Sequence, residues 1–364
     1  FLNKFSAISP RQFGFVQGLG TVSLLEEFSD LLHSAFDNNL YSCALFLDIS
    51  KAFDSVDHSI LLQKLHKLGF RGNFHTLLTN YLSNRSQVVA LGGLNMSTQV
   101  SLTCGVPQGS IISPLLFNIY VNDLEENILN CHIFQYADDT VLVACHTNCT
   151  SAVQILQQAV FTAMNWFRDN RIKVNASKTS LVCFRNPLKQ TVTNIPLFIH
   201  TSDCASCSCT AVSYVNSVKY LGIYFDSDLA WNTHLSYICS KLRSTAWLLN
   251  TIRHLAPIGV RRAIASSLAY GVLRYGITIL SNCSIRWQVR INNILRNLLK
   301  SVAYKCDLTE CGSIFEYLGL PSFQKLFVNS VILRHFWMDD FKKTFVSSRV
   351  LRDSPRYVVP RSYT

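Results

Sequence analysis

The sequence predicts an α+β fold, and three observations support this class. Apolar segments of strand length carry carboxylates at their ends, at Leu45–Ile49 and on both sides of Asp138. Segments with apolar residues at helical spacing alternate with these strands up to about residue 235. Beyond Trp231 the pattern is helical almost to the end, with breaks at Pro257 and Pro321. A mixed region followed by a mostly helical region indicates α+β architecture.

The first predicted helix begins at Ser23, because Ser23 and Glu26 have the spacing of a capping box. Asn38 and Asn39 end this helix, and the strand that carries Asp48 follows. The apolar stripe of the helix, at helical spacing, consists of Leu24, Leu25, Phe28, Leu31, Leu32, Ala35 and Phe36.

The elements that follow are assigned from the spacing of their apolar residues, from turn-forming residues and from glycines that end helices. In chain order they are a helix from His58 to Gly69, a helix at about Asn73–Leu82, a hairpin of Val88–Leu91 and Thr98–Leu102, the Gly105–Ser110 loop, a helix from Pro114 to about Ile128, the acidic hairpin, a long helix at Ala152–Asn170, short strands near Ile172–Val174 and Ser180–Phe184, and a β-rich segment with a loose middle at Ile195–Phe225.

The composition is that of a globular protein. Of 364 residues, 49% are hydrophobic and 15% are charged. No apolar run reaches the roughly 18 residues that a membrane span requires, so no membrane partner is expected. The chain starts at Phe1 rather than Met and shows no signal-like start, and we interpret it as a piece of a longer, intracellular polypeptide. Nucleus and cytoplasm are not distinguished.

The net charge of +11 is concentrated in one part of the chain. Between residues 241 and 300 there is no Asp or Glu, whereas ten residues are basic: Lys241, Arg243, Arg253, Arg261, Arg262, Arg274, Arg286, Arg290, Arg296 and Lys300. A block of one sign repels itself unless a polyanion lies against it, and a phosphate backbone is the natural partner. The alternative is a helical surface that uses cations for solubility, but such surfaces normally mix signs.

Thirteen cysteines raise the question of metal binding. Cys204, Cys207 and Cys209 form a cluster with His200 upstream, but a second half at zinc-finger spacing is missing. A Ser/Thr-rich loop is the favoured interpretation, and the question of zinc stays open. The remaining cysteines lie in apolar runs, which is typical of reduced core residues.

The acidic turn Tyr136–Asp139 is the most informative segment of the chain. Two adjacent carboxylates at the tip of a hairpin can hold hard cations. With Asp48, at the end of another strand, they form the ligand set of a two-metal site for nucleotidyl transfer. Asp48 and Asp138 would bridge the ions, and Asp139 would support one of them. The alternative is an ordinary solvated turn.

Other segments allow both a functional and a structural interpretation. Asp54 and Asp57 precede a helix, and we favour a helix-start role for them over metal binding. Phe53 lies just past the Asp48 strand, where a ring beside a nucleotide sugar could exclude a 2′-hydroxyl; ordinary core packing explains it equally well. Gln108 and Gly109 lie in a glycine-framed loop that would admit a nucleic-acid backbone, or that would simply join a loop to a helix.

Two basic positions are also ambiguous. Lys178 follows the long helix in a turn and would either reach a pyrophosphate or remain solvated. The segment Lys219, Tyr220, Leu221 and Gly222 precedes a strand and would either contact a primer backbone or form a structural hairpin.

Taken together and in order, these segments resemble the reverse transcriptase domain of non-LTR (LINE-type) retrotransposons. The matching segments are Leu47–His58, Tyr81–Arg85, Gly105–Ser110, Ser113–Phe117, Tyr136–Asp139, Asn175 with Lys178 and Thr179, and Lys219–Gly222 with Trp231 and His234. The ordered series covers nearly the whole chain, most firmly from residue 12 to 235.

The resemblance implies a right-hand polymerase with a ferredoxin-like, four-stranded palm sheet. It implies partial fingers at 1–40, a palm at 41–240 and a basic helical thumb and C-terminal region at 241–364. Within the palm it implies a fingers insertion at about 70–104 and a primer-grip region at about 195–235. The implied activity is RNA-directed DNA polymerisation, in which deoxynucleotides are added to a primer 3′-hydroxyl on an RNA template.

The resemblance also implies a role for each candidate residue. Magnesium, as two ions, is implied for Asp48, Asp138 and Asp139. Substrate binding is implied for Phe53 as the sugar gate, for Gln108 and Gly109 at the nucleotide and template, and for Lys178 near the triphosphate. The primer grip would be Lys219–Gly222, and the thumb cations Lys241, Arg243, Arg253, Arg261 and Arg262 would follow an RNA–DNA duplex.

The sequence departs from the family pattern after Gln12–Phe15, which resembles the start of the fingers. Val16 and Leu19 stand where similar proteins usually place Arg, a change that would weaken the grip on a triphosphate. The endonuclease and nucleic-acid-binding companion domains of such elements are absent from this sequence. The main alternative is therefore an inert, truncated remnant that at most binds nucleic acid. A third interpretation is an intron-type maturase, which the Lys219–His234 pattern fits less well.

Overall fold

The chain folds into two compact units that divide between Asn216 and Ser217. The computed structural model describes residues 7–90, 92, 96–189, 195–200, 209, 211–280, 282–306 and 312–337. The predicted palm limit at residue 240 lies further along the chain. The hairpin that follows Asn216 packs on the first long helix of the second unit, and the palm limit at residue 240 stays a prediction.

The first unit is built on a five-stranded sheet. The strands of this unit are β1 (Tyr41–Leu47), β2 (Arg85–Gln87), β3 (Val100–Leu102), β4 (His132–Tyr136), β5 (Asp139–His146), β6 (Ser180–Phe184) and β7 (Ser213–Tyr214). The sheet order is β4-β5-β1-β6-β7, and β2 and β3 form a separate hairpin. The strands β4, β5, β1 and β6 are antiparallel neighbours, and β7 adds a two-residue parallel strand at the edge.

Helices cover both faces of this sheet. The helices of the unit are α1 (Thr21–Asp37), α2 (His58–Lys67), α3 (Gly72–Leu82), α4 (Ser113–Val121) and α5 (Cys149–Asp169), with short 3₁₀ helices at Ala52–Ser55 and Asn122–Asn127, and α1 and α5 contact the sheet. On one face Phe28 of α1 packs edge-on against Phe46, Phe134 and Phe184 of three strands. On the other face α5 packs against β1 and β5. Because both faces are buried, the strands are almost entirely apolar, and polar groups are confined to their ends.

Local chemistry explains most helix boundaries. The Asp57 side chain accepts hydrogen bonds from the backbone N–H groups of Ser59 and Ile60, so it caps α2, and the helix-start role predicted for it is confirmed. The helix stops before Gly69, which has a left-handed φ of 97°. The capping box predicted at Ser23 is wrong: α1 begins at Thr21, and its N-cap is Gly20, which makes no side-chain capping bond.

Three further elements differ from their predicted extent. The helix predicted up to Ile128 ends at Val121 and continues only as 3₁₀ turns to Asn127. The strand predicted near Ile172–Val174 is reduced to an isolated bridge between Val174 and Ile49. The hairpin predicted around Gly92 is present, but its ladder pairs residues 85–87 with residues 100–102, farther from the turn than predicted.

The second unit is mostly helical, as predicted. It opens with the hairpin β8 (Ser217–Tyr220) and β9 (Ile223–Asp226) and continues with α6 (Asn232–Ile252), α7 (Ile258–Ile264), a π-helical turn (Ala265–Ala269), α8 (Tyr270–Arg274), α9 (Ile285–Val302), α10 (Ile314–Leu318) and α11 (Phe323–Trp337). Trp231 is fully buried before α6 and donates a hydrogen bond to Asn282, 2.7 Å away. None of the helices in the described ranges is both long and apolar enough to cross a bilayer.

Candidate active site

The acidic turn lies at one end of the central sheet. Tyr136 pairs with Asp139 across the β4–β5 hairpin, so Ala137 and Asp138 form a two-residue turn. Leu47, the last residue of β1, pairs with Thr140 of β5. Asp48 therefore follows β1 at the level of Asp139 on the neighbouring strand. The three aspartates that the sequence singled out thus converge on the same end of the sheet.

The electrostatics of this end are unfavourable without a cation. Removal of water from around the Asp139 carboxyl, together with the negative charges of Asp138 and Asp48, raises its pKa to about 6. The side chain still reaches solvent along part of its surface. A carboxylate that two other acids make harder to ionise is a group that a divalent cation would stabilise.

The three carboxylates do not form a cage for a single ion. Within the described residues, three ligand atoms lying within 4.8 Å of one another occur only in a cysteine cluster elsewhere in the sheet. At least one pair of these aspartates therefore has its carboxylate oxygens more than 4.8 Å apart. Two ions placed roughly 3.5–4 Å apart need ligands over a wider span than one ion does, so this spread is compatible with pairwise bridging.

A segment near the start of the chain holds the acidic turn in place. Ala137 has a left-handed φ of 54°, a conformation that costs a non-glycine residue free energy and must be supported by its surroundings. Gln12 supplies this support, because its side-chain oxygen accepts hydrogen bonds from the N–H groups of Ala137 (3.1 Å) and Gly14 (2.8 Å). The Phe13 N–H also donates to the Gln135 carbonyl at 2.9 Å.

Gly14 lies directly against this turn. A β-carbon at this position would be 2.5 Å from the Ala137 nitrogen, closer than any real contact. The Gly14 carbonyl accepts a hydrogen bond from the buried Asn118 side chain at 2.7 Å. Sequence reasoning noted Gln12–Phe15 only as part of the fingers and missed its contact with the turn. A glycine two residues after a glutamine is too weak a signal to predict that contact.

The turn that carries Lys178 holds the backbone of Asp48 in place. The Asn175 N–H donates to the Asp48 carbonyl at 2.8 Å, and the same turn closes when Lys178 N–H donates to the Asn175 carbonyl. The Lys178 side chain is exposed. The structure thus brings the backbone of this turn to Asp48 and leaves the Lys178 ammonium group facing solvent.

Phe53 belongs to an aromatic group beside the acidic turn. Its ring stacks on Phe117 with centroids 4.7 Å apart and meets Phe15 edge-on at 6.5 Å. Phe15 in turn contacts Tyr136, the residue before the turn. Phe53 is half-buried, so part of the ring serves the packing and part faces outward.

The Gly105–Ser110 loop is attached to the segment around Phe53. Val106 N–H donates to the Phe53 carbonyl at 2.9 Å, and the Gln108 amide donates to the Asp54 carboxylate at 3.0 Å. Asp54 therefore has a protein partner in this loop. Gln108 and Gly109 are exposed, and Gly109 has a φ of 84° that favours glycine.

The Lys219–Gly222 segment forms the β8–β9 turn of the second unit. Leu221 and Gly222 both have left-handed φ values, 43° and 86°, as a type I′ hairpin turn requires. The Leu221 carbonyl accepts a hydrogen bond from the Tyr275 hydroxyl, which ties the turn to the helical part of the unit. Tyr220 is buried, whereas Lys219 is exposed and lies 5.8 Å from the Tyr224 ring centroid.

Most of the basic block faces solvent. The exposed members are Lys241, Arg243, Arg262, Arg274, Arg286, Arg290, Arg296 and Lys300. Arg253 is half-buried and lies over the Tyr304 ring. Arg261 departs from the prediction: it is 5% exposed, and its guanidinium donates to the carbonyls of Arg253 and Ser301. These internal hydrogen bonds leave Arg261 unavailable to a phosphate.

An antiparallel sheet that collects three aspartates at one end, with a basic helical region after it in the chain, is the arrangement of a polymerase palm and thumb. The comparison with protein families agrees with this class. The chain belongs to the reverse transcriptase (RNA-dependent DNA polymerase) family, whose model matches residues 1–225. The matched range includes every acid of the sheet end and the loop and turn residues around it.

The similar proteins come from non-LTR retrotransposons. The chain is 30% identical over 301 residues to the probable RNA-directed DNA polymerase from transposon BS of Drosophila melanogaster, covering 78% of this chain and 32% of that protein. It is 31% identical over 279 residues to the corresponding X-element protein of the same species, covering 73% and 29%. The chain thus spans about a third of the length of these curated relatives.

Among solved structures, the apo telomerase of Candida tropicalis is similar over 94% of this chain and 57% of that chain. The sequence identity is 10% and the TM-score is 0.42. At that score the likeness supports no argument about this chain.

Proposed function

We propose that this chain is the polymerase part of a retrotransposon protein and extends a primer 3′-hydroxyl with deoxynucleotides on an RNA template. The observation that carries the proposal is the convergence of Asp48, Asp138 and Asp139 on one end of the sheet, where burial and the charges of the first two raise the pKa of the third. Carboxylates that oppose one another's ionisation are stabilised more by divalent cations, together with the triphosphate that such cations carry, than by bulk water.

Two magnesium ions are the proposed cofactor. Carboxylate oxygens are the ligands that magnesium prefers, so the donor set fits. Asp48 and Asp138 would hold both ions and Asp139 one of them. When bound, such ions lower the pKa of an attacking hydroxyl and neutralise the leaving pyrophosphate. The protein's own contribution is to hold the acids on rigid strands, which keeps their positions fixed during the reaction.

The residues around the acids support a nucleotide site. The outward part of Phe53 would lie beside the sugar and act against a 2′-hydroxyl. The exposed Gln108 and Gly109 are attached through backbone pairing to the same segment, so they would contact the base pair being formed. Lys178 is exposed on the turn attached to Asp48, from which its ammonium could meet phosphate oxygens.

The second unit supports a role in holding the primer and template. Its β8–β9 turn, Lys219–Gly222, would contact the primer backbone. The exposed and half-buried cations Lys241, Arg243, Arg253 and Arg262 would contact phosphates of the RNA–DNA duplex, whereas Arg261 is structural. Such contacts release counterions, so duplex binding should weaken steeply as salt increases.

The alternative is an inert remnant that binds nucleic acid through the same cations. Val16 and Leu19, which replace the arginines expected from the family pattern, favour this alternative. The acids and their support are intact in this chain, which favours the enzyme. Catalytic competence is therefore the question that the experiment must answer.

The test is a primer-extension assay on RNA with the full-length protein. Asp138→Asn removes one proposed ligand with almost no change in size, and we expect at least a hundredfold loss of deoxynucleotide incorporation. Asp169→Asn is the matched control, because Asp169 is an exposed acid at the end of α5. Activity that survives Asp138→Asn would refute the assignment, and a wild-type protein that binds the duplex without extending it would identify a remnant.

A further inference from the structure

Three cysteines meet inside the first unit, away from the acidic turn. Cys43 of β1 pairs directly with Cys183 of β6, and Cys149 is the first residue of α5. All three are buried, with exposed fractions of 0%, 8% and 8% for Cys43, Cys149 and Cys183. Cys43 precedes Asp48 by five residues of extended chain, which corresponds to roughly 16 Å. The cluster is therefore distinct from the acidic site.

The spacing of the three sulfur atoms is that of a metal site. The Sγ–Sγ distances are 3.8 Å for Cys43 and Cys149, 3.6 Å for Cys43 and Cys183, and 3.5 Å for Cys149 and Cys183. A tetrahedral zinc ion with Zn–S bonds of about 2.3 Å requires sulfurs about 3.8 Å apart. An ion placed about 1 Å off the plane of this triangle would lie at bonding distance from all three sulfurs.

The protonation of the cluster also suits a metal. Hydrogen bonds from Cys183 and Cys43 lower the pKa of Cys149, which favours its thiolate form. The position of Cys149 in the first turn of a 21-residue helix favours the same negative charge. Hydrogen bonds with Cys149 raise the pKa of the Cys43 and Cys183 thiols, and burial adds to this rise. Metal binding would release their protons.

We propose that Cys43, Cys149 and Cys183 bind one zinc ion, with water or a small thiol as the fourth ligand. The fourth ligand would come from the side of Cys149 and Cys183, which are each 8% exposed, whereas Cys43 is fully buried. The ion would join two central strands to the helix that covers them and would stabilise the sheet. The proposal is independent of the polymerase function. Its competitor is a core of three packed thiols without metal.

The test uses cobalt as a spectroscopic probe on the full chain under reducing conditions. We expect one equivalent of Co(II) to give a thiolate-to-metal charge-transfer band that zinc abolishes, and zinc to raise the melting temperature. Cys149→Ala and Cys183→Ala should each weaken zinc binding at least about a hundredfold. Cys239→Ala, a buried cysteine of α6, should leave the spectrum unchanged.

The other outcomes overturn the proposal. A wild-type protein that shows neither the band nor a zinc-dependent melting shift would have a core of three packed thiols. A thiol count after denaturation that is two short would indicate a disulfide between members of the cluster. A band that persists in both variants but disappears in Cys207→Ala would place the metal in the Cys204–Cys209 segment. The wild-type measurements decide the question even if a variant fails to fold.

Discussion

The contact between Gly14 and the acidic turn leads to a quantitative prediction for Gly14→Ala. The new β-carbon would lie 2.5 Å from the Ala137 nitrogen, whereas the shortest real contacts begin near 3.0 Å and ordinary ones at 3.4 Å. The turn must therefore move by roughly 0.5–0.9 Å, because a backbone atom cannot rotate away as a side chain can. The backbone of Gly14 has no positive φ, so the clash is the only cost.

Such a displacement has two consequences. Overpacking of this kind costs about 1–3 kcal/mol of unfolding free energy. A shift of catalytic groups by up to about 1 Å costs up to about a hundredfold in rate, so we expect deoxynucleotide incorporation to fall by about 10- to 100-fold. Incorporation on primed RNA should be measured with full-length protein well below its melting temperature, beside a denaturant titration.

Gly271→Ala is the matched control. Gly271 lies in α8 with open space around its Cα, so alanine should be neutral or stabilising there. Gln12→Ala supplies a second check, because it removes the acceptor of the same turn, and the double variant should cost less than the sum of the two single changes. Unchanged stability and unchanged incorporation in Gly14→Ala would refute the idea that this segment positions the acids.

Further predictions concern single titrating or charged groups. The folded state raises the pKa of Asp139 from 3.8 to about 6, so the unfolding free energy of the metal-free protein should fall as pH rises through that range. For the same reason, magnesium affinity should fall below about pH 6. Asp139→Asn should remove both pH dependences, which calorimetry can measure. Burial lowers the pKa of His234 from 6.5 to about 4, so protonation of this residue should cost up to about 3 kcal/mol of unfolding free energy as pH falls through that range, opposite in sign to Asp139. The stability difference between the wild type and His234→Phe should therefore change with pH, and a pH-independent difference would contradict this. Arg261→Met should lower the unfolding free energy by about 1–3 kcal/mol and leave the salt dependence of duplex binding unchanged. Arg262→Met should leave stability unchanged and reduce the slope of log binding constant against log salt concentration by about one. Identical behaviour of the two variants would count against the assigned roles.

The order of secondary structure could be predicted from the sequence because local chemistry determined it. The apolar stripe of α1, the Asp57 cap of α2 and the glycine that follows it are signals within a few residues of one another. The position of Asp48 beside the acidic turn also followed, because two strands that end in acids were expected in one sheet. The resemblance to a known domain added the roles of the residues, which spacing alone left open.

Contacts between distant segments were not predictable in the same way. Gln12 and Ala137 are 125 positions apart, and nothing in either segment specifies the other. The burial of Arg261 depends on carbonyls at Arg253 and Ser301, whereas its neighbour Arg262 has the same chemistry and faces solvent. Cys43, Cys149 and Cys183 looked like scattered core residues because their proximity depends on strand register and on the docking of α5.

The division of the chain after Asn216 has a consequence for how such proteins diversify. The acids and their supports lie wholly before that point, and the β8–β9 turn lies with the basic helices after it. Under the proposed function, changes before this point would act on the metal-binding acids, whereas changes after it would act on the contacts with primer and duplex. A chimera that joins two relatives at this peptide bond would take its acidic site from one parent and its basic helices from the other, so the salt dependence of duplex binding should follow the second parent.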